Sequence, residues 1–297
     1  MKPELLADEV EKFSADAPGP TIAIVGGVHG NERTGIAVVR KLRRKFESGE
    51  LELAAGALIL ALGNLLAMKR QTRGSMPGAN LNACFSKAVL TGAGDGYEER
   101  RARELARVFE TVQLGIDLHA TNSLSEPFAV VQRLPTAADL RVLRLLDFER
   151  GISDPSWIFA GEAVTLDEFF AARGSGICYE TGCADATSKA DAVVAEMIAV
   201  MADGGWIRGT SAHRFTPRRK EWYLLRESIM VTARGFEFAP GVGEYNFQRI
   251  RAKQLIGHHG DEPLRVKDDA LLVFPKPAHL RFVGQQAGYL AEPYARI

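Results

Sequence analysis

The sequence predicts an α/β fold, a sandwich built on a mainly parallel central sheet, followed by a small all-β region. Three observations predict it. Short apolar, β-branched runs alternate with amphipathic segments of helical length through most of the chain. Glycine or a polar residue closes each run. After Gly204-Gly205 the helical spacing fades, and short strands split by Gly and Pro take over.

Taken in order, Thr21 to Val25 is a buried strand ending in Gly26-Gly27. Glu32 to Phe46 is an amphipathic helix, with Ile36, Val39, Leu42 and Phe46 on one stripe. Ala57 to Leu62 is a second strand, closed by Gly63-Asn64. Glu98 to Val112 reads as a charged helix and Leu114 to Leu118 as a strand. Phe128 to Gln132 is a strand and Thr136 to Phe148 a helix. Leu166 to Arg173 is a short helix before the strand Ile177 to Tyr179, and Lys189 to Met201 is helical again. The tail carries strands at Trp222 to Ala233, Arg234 to Phe238, Gln254 to Ile256, Ala270 to Phe274 and Gly288 to Ala291. This divides the chain into an α/β domain over 1–208 and a β-rich domain over 209–297.

Composition narrows the function. Lys plus Arg equals Asp plus Glu at 37 each, so no net field favours nucleic acid or an anionic membrane. A small-molecule substrate is the default partner, and homo-oligomerisation is left open. The three cysteines, Cys84, Cys178 and Cys183, have no paired spacing, which fits a reducing compartment and a cytoplasmic location. No signal peptide is expected from Met1 to Pro18, and no apolar run reaches the length of a membrane span.

In an open α/β sheet, ligands bind beyond the carboxyl ends of the strands. Polar side chains stand at such ends in Gly27-Val28-His29-Gly30-Asn31-Glu32, at Asn64, in Asp117-Leu118-His119 and in Tyr179-Glu180-Thr181-Gly182. Two histidines and a carboxylate form the usual set for a catalytic zinc that keeps one position open. His29, Glu32 and His119 are therefore the expected ligands of one Zn²⁺ per chain. A further carboxylate, Glu180, is the expected general base. Asp117 either orients His119 or simply ends its strand.

These residues resemble the succinylglutamate desuccinylase and aspartoacylase family, relatives of the zinc carboxypeptidases. Val28 to Gly35 resembles its first zinc motif, Asp117-Leu118-His119 its second, and Glu180 its catalytic glutamate. Asn64 to Ala67 and Asn80-Leu81-Asn82 resemble two further segments, the second of which meets the substrate carboxylate. The resemblance implies a zinc-carboxypeptidase-like sandwich and hydrolysis of an N-acyl amino acid or a similar amide. It also implies a catalytic role for Arg73 and substrate binding by Asn82 and Asn64. Ala83 stands where the family often has arginine, Asn80 replaces its aspartate, and the arginine expected upstream of Glu180 has no match. Losing a bidentate arginine argues against N-acetylaspartate and N-succinylglutamate as substrates.

Other readings are weighed against this one. Arg73 fits an exposed basic loop as well as a catalytic role, Asn82 fits an Asx turn, and His258-His259 reads as a plain turn. A carboxypeptidase acting on peptides, or a binding scaffold without turnover, are the alternative functions. No Gly-x-Ser-x-Gly elbow is present, and Ile36 stands where a P-loop needs lysine.

Overall fold

A computed structural model describes residues 2–159, 164–184, 187–208 and 219–295. The chain opens with an antiparallel pair, β1 (Glu4–Ala7) and β2 (Val10–Ser14), that the sequence reading missed. Next come β3 (Thr21–Gly26), α1 (Arg33–Glu47), β4 (Ala57–Leu62) and α2 (Leu65–Arg70). Two helices, α3 (Lys87–Thr91) and α4 (Tyr97–Val108), precede β5 (Leu114–Thr121) and β6 (Phe128–Val131). Then follow α5 (Ala137–Leu143), β7 (Arg150–Ser153), α6 (Leu166–Ala171), β8 (Ser175–Cys183) and α7 (Ala190–Asp203). The expected helix to Phe148 stops at Leu143, and β7 is a strand that the sequence reading did not anticipate.

Strands β4, β3, β5 and β8 run parallel and side by side, forming the block that the apolar runs announced. All of β3 beyond Thr21, all of β4 and all of β5 are buried, because helices cover both faces. One face packs on α1 and α7 through Ile22, Leu60, Ile116 and Tyr179. The other packs on α4 and α6 through Ala23, Ile59, Leu105 and Phe170. Antiparallel pairing brings β2 onto β4 and β6 onto β8, so the sheet is mixed outside its centre.

Among the described residues, the C-terminal region is all-β apart from a single short turn of helix: β9 (Glu221–Met230), β10 (Phe236–Phe238), β11 (Gln248–Ile250), β12 (Leu255–His259), β13 (Glu262–Arg265), β14 (Ala270–Val273) and β15 (Gln286–Tyr294). Its strands β9, β15, β14 and β11 extend the main sheet from β7 to a width of twelve strands. β10, β12 and β13 form a separate small sheet. His258 and His259 end β12 rather than forming the turn, which follows at Gly260 with φ of 60°. The expected boundary after 208 abuts residues 209–218, which lie outside the described residues.

Candidate active site

The register of the central sheet builds the site. His119 on β5 lies directly opposite Glu180 on β8, and Asp117 lies opposite Cys178. Side chains alternate along a strand, so Asp117, His119 and Glu180 share one face at the carboxyl end of the sheet. His29 and Glu32 arrive from the loop after β3. Gly27 adopts φ of 71° there, a left-handed conformation that releases the chain from the strand. Glu32 then occupies the capping position at the start of α1.

His29, Glu32 and His119 meet although 87 residues separate the last two. His29 Nδ1 lies 2.8 Å from Glu32 Oε1, and His119 Nδ1 lies 3.0 Å from Glu32 Oε2. The backbone N–H of Ala120 also donates to Glu32 Oε2, at 3.1 Å. The far nitrogen of each ring is held from behind. His119 Nε2 meets Asp117 Oδ2 at 2.7 Å, and His29 Nε2 meets Asn80 Oδ1 at 3.0 Å. One donor atom from each of His29, Glu32 and His119 lies within 4.8 Å of the others, and all three residues are buried. Two imidazoles and a carboxylate are a donor set that suits a divalent transition metal.

Electrostatics follow from that packing. Burial works to raise the Glu32 carboxyl, but the two imidazoles hold it well below the usual range. His119 is raised well above an ordinary histidine: burial opposes this, and Asp117 and Glu32 prevail. Burial and the nearby Arg73 guanidinium lower His29. Glu180 is pushed up to about 8, chiefly by burial, with His119 pulling it down and Glu32 pushing it further up. Its Oε2 is buried and finds no hydrogen-bond partner. A carboxylate in that state needs a partner or a chemical role.

The remaining expected residues divide. Arg73 reaches the cluster, with one guanidinium nitrogen 3.5 Å from Glu32 Oε1, and remains 46% exposed. Asn64 does not reach it. Its Oδ1 accepts the Ala67 N–H that starts α2 and its Nδ2 donates to Glu98, so both ends of the amide are used inside the protein. Asn82 is also turned inward, its Oδ1 accepting the Leu166 N–H at the start of α6. Asn80, which the sequence offered only as a departure from a motif, is the residue that grips His29. Its offset of two from Asn82 was the available signal.

Residues 18–195 match the succinylglutamate desuccinylase/aspartoacylase catalytic domain, more than half of the chain. The chain belongs to this family. A succinylglutamate desuccinylase of Pseudomonas paraeruginosa is 32% identical over 180 residues, 54% of this chain and 53% of that protein. An N-acyl-aromatic-L-amino acid amidohydrolase (carboxylate-forming) of Xenopus tropicalis is 31% identical over 109 residues, 34% of each chain. The chain thus matches about half or less of these relatives' length. Among solved structures, the Vibrio cholerae succinylglutamate desuccinylase superposes with a TM-score of 0.76 at 19% identity, over 96% of this chain and 85% of that one. Murine aminoacylase 3 gives 0.71 at 19%, over 94% and 97%. This family fold therefore extends through the β-rich tail.

Proposed function

We propose that the protein is a zinc-dependent amidohydrolase that removes the acyl group from an N-acyl amino acid or a related amide. The observation that carries this reading is the convergence of His29, Glu32 and His119, with the buried, unpartnered Oε2 of Glu180 beside them on the next strand. Membership of a family with desuccinylase and amidohydrolase relatives supports it. His29, Glu32 and His119 would hold the metal. When bound, zinc would supply Lewis acidity that polarises the scissile carbonyl, and positive charge that favours the ionised form of Glu180.

The chain's own groups do the rest. Glu180 Oε2 takes a proton from the attacking water and delivers it to the departing amine nitrogen. Arg73, with its guanidinium at the rim of the cluster, stabilises the negative charge that develops on the carbonyl oxygen. Asp117 and Asn80 keep the two imidazoles oriented from behind. Burial of the cluster removes water that would weaken each of these interactions. The α/β region to 208 carries this machinery, and the β-rich region, described from residue 219, contributes to its mouth through the segment after β14, which Ser123 ties to Thr121.

The test is zinc content together with amine release from a panel of N-acyl amino acids. Glu180→Ala should keep stoichiometric zinc and lose about 10²–10⁴-fold in kcat, the usual contribution of a general base. His119→Ala should lose the metal. A Glu180→Ala enzyme that turns over as fast as wild type would remove Glu180 from the reaction.

A further inference from the structure

The chain carries no net charge, yet α1 contains the run Arg40-Lys41-Leu42-Arg43-Arg44-Lys45, for which the candidate active site has no use. On a helix, residues four and seven apart share a face. Arg33, Arg40 and Arg44 stand at those intervals on α1, with no acidic residue in its first turn to offset them. They form one stripe of about 16 Å along the helix axis.

The fold makes that stripe one wall of a groove. α2 supplies Lys69 to the opposite wall, and Gln71 lies just beyond it. The groove encloses about 730 Å³, a size common among small-molecule sites. Its floor is aliphatic, with Ile36 and Ala37 from α1 and Leu65 and Met68 from α2. Gly30, in the loop before α1, lines it as well. A Cβ on Gly27 would come 2.9 Å from Ile36 Cγ1 and 2.8 Å from Met68 Sδ, so the floor packs closely on the loop that delivers His29 and Glu32. None of His29, Glu32, His119 and Glu180 lines the groove itself.

Its charges do not cancel. Arg33, Arg40, Lys41, Arg44 and Lys69 face Asp8 and Glu9, five cations to two acids. Lys41 already pairs with Asp191, and Arg43 takes Glu9. Among the described residues no carboxylate pairs with Arg33, Arg40, Arg44 or Lys69, and Arg33 meets the neutral amide of Gln71 at 2.9 Å. Like charges four apart on a helix destabilise it, so a face built this way works against the fold unless an anion answers it.

The lining also selects the anion. A guanidinium fork matches two oxygens of one phosphate, and a phosphate brings more charge than a carboxylate. Cations spread along both walls answer phosphates that stand apart better than a single group. None of the described lining residues is aromatic, so nothing there stacks on a base. An aliphatic floor beneath a cationic rim suits a sugar or carbon-chain body.

We propose that the groove between α1 and α2 is a second ligand site, taking a soluble organic anion with at least two phosphates on a non-aromatic body. Arg40 and Arg44 hold phosphate from one wall and Lys69 from the other, with Arg33 at the end next to Gly30. The anion is bound and not turned over, because no candidate catalytic side chain lines the groove. This site stands whether or not the amidohydrolase reading does.

The experiment titrates fructose bisphosphate, which has two phosphates and no base, into the zinc-loaded full chain by calorimetry. Wild type should bind one per chain, and fructose monophosphate at least about tenfold more weakly. The Arg40→Ser, Arg44→Ser double variant should bind the bisphosphate about 10–100-fold more weakly, the range of a lost hydrogen bond to a charged group. Lys69→Ser, a single exposed change on the other wall, should weaken binding several-fold and tests the site even if the double variant folds poorly. Arg141→Ser with Arg144→Ser removes the same charge from an exposed pair elsewhere and should bind as wild type does. The proposal is overturned if wild type does not bind the bisphosphate, or if either groove variant, folded, binds it as tightly as wild type. An equal loss in both arginine double variants also overturns it, by reducing the effect to overall charge. So does binding confined to vesicles containing phosphatidic acid, which would make the stripe a membrane-surface contact.

Discussion

A neutral amide decides how His29 presents itself. The Asn82 N–H can only donate, so its 3.1 Å contact with Asn80 Oδ1 settles which end of that amide is oxygen. The same oxygen accepts from His29 Nε2 at 3.0 Å, which places the ring proton there and turns Nδ1 towards Glu32. His119 is held the same way by the carboxylate of Asp117. Partners of this kind typically contribute 10–100-fold to metal affinity. Asn80→Ala should therefore weaken zinc binding by about that factor, measured by competition with a chelator, while Asn80→Asp should tighten it. An Asn80→Ala protein that holds zinc as wild type does would show that the packed loop alone orients His29. That His29, Glu32, His119 and Glu180 would come together was legible, because a loop after one strand and the carboxyl ends of two neighbouring strands must meet at the same edge of a parallel sheet. Asn64 and Asn82 were not, since their partners Glu98 and Leu166 lie 34 and 84 residues away and leave no local pattern.

Among whole elements, the buried parallel strands were the readable ones, because covering both faces demands an unbroken apolar run. Edge strands were missed for the converse reason. In β2, Val10 and Phe13 are buried while Ser14 is exposed, and Glu11 and Lys12 lie between them, so the run never looks apolar. β7 is four residues long and contains Gly151, whose missing side chain leaves room for the Trp222 ring of β9. The loop between β3 and α1 depends on a similar absence. A Cβ at Gly30 would come within 2.0 Å of the Ala67 backbone carbon in α2. Backbone cannot step aside as a flexible side chain can, so Gly30→Ala must displace either α2 or the segment carrying His29 and Glu32. Overpacking of this kind costs about 1–3 kcal/mol. The variant should melt several degrees lower and bind less than one zinc per chain, as calorimetry and metal analysis would record. Wild-type Tm with full zinc would mean that the loop has slack to absorb the methyl group.

At the scale of the whole molecule, local sequence pattern conveyed the β character of the tail and not its destination. β9 joins β7 in parallel, and β15, β14 and β11 continue the same sheet, pairings between segments some 70 residues or more apart in the case of β7 and β9. Such register depends on which edge the folded α/β region leaves free, and β7 is that edge. Packing this extensive also buries acids that are not members of the His29, Glu32 and His119 cluster. Burial pushes Glu168, whose carboxylate accepts the Thr165 N–H at the start of α6, up to about 7. Burial raises Glu196 on α7 to about 7 as well, against a hydrogen bond from Tyr179 that lowers it. A carboxyl raised in the folded state keeps its proton there after the unfolded chain has lost it. The stabilisation from each is therefore complete below about pH 4.5 and is lost as pH rises towards 7, on the order of 2 kcal/mol per group. Thermal stability should fall between pH 5 and pH 8. In the Glu168→Gln, Glu196→Gln double variant this fall should shrink markedly, so that it matches wild type near pH 5 and melts several degrees higher at pH 8. A double variant whose melting curve tracks wild type at both pH values would mean that neither acid is held protonated by the fold.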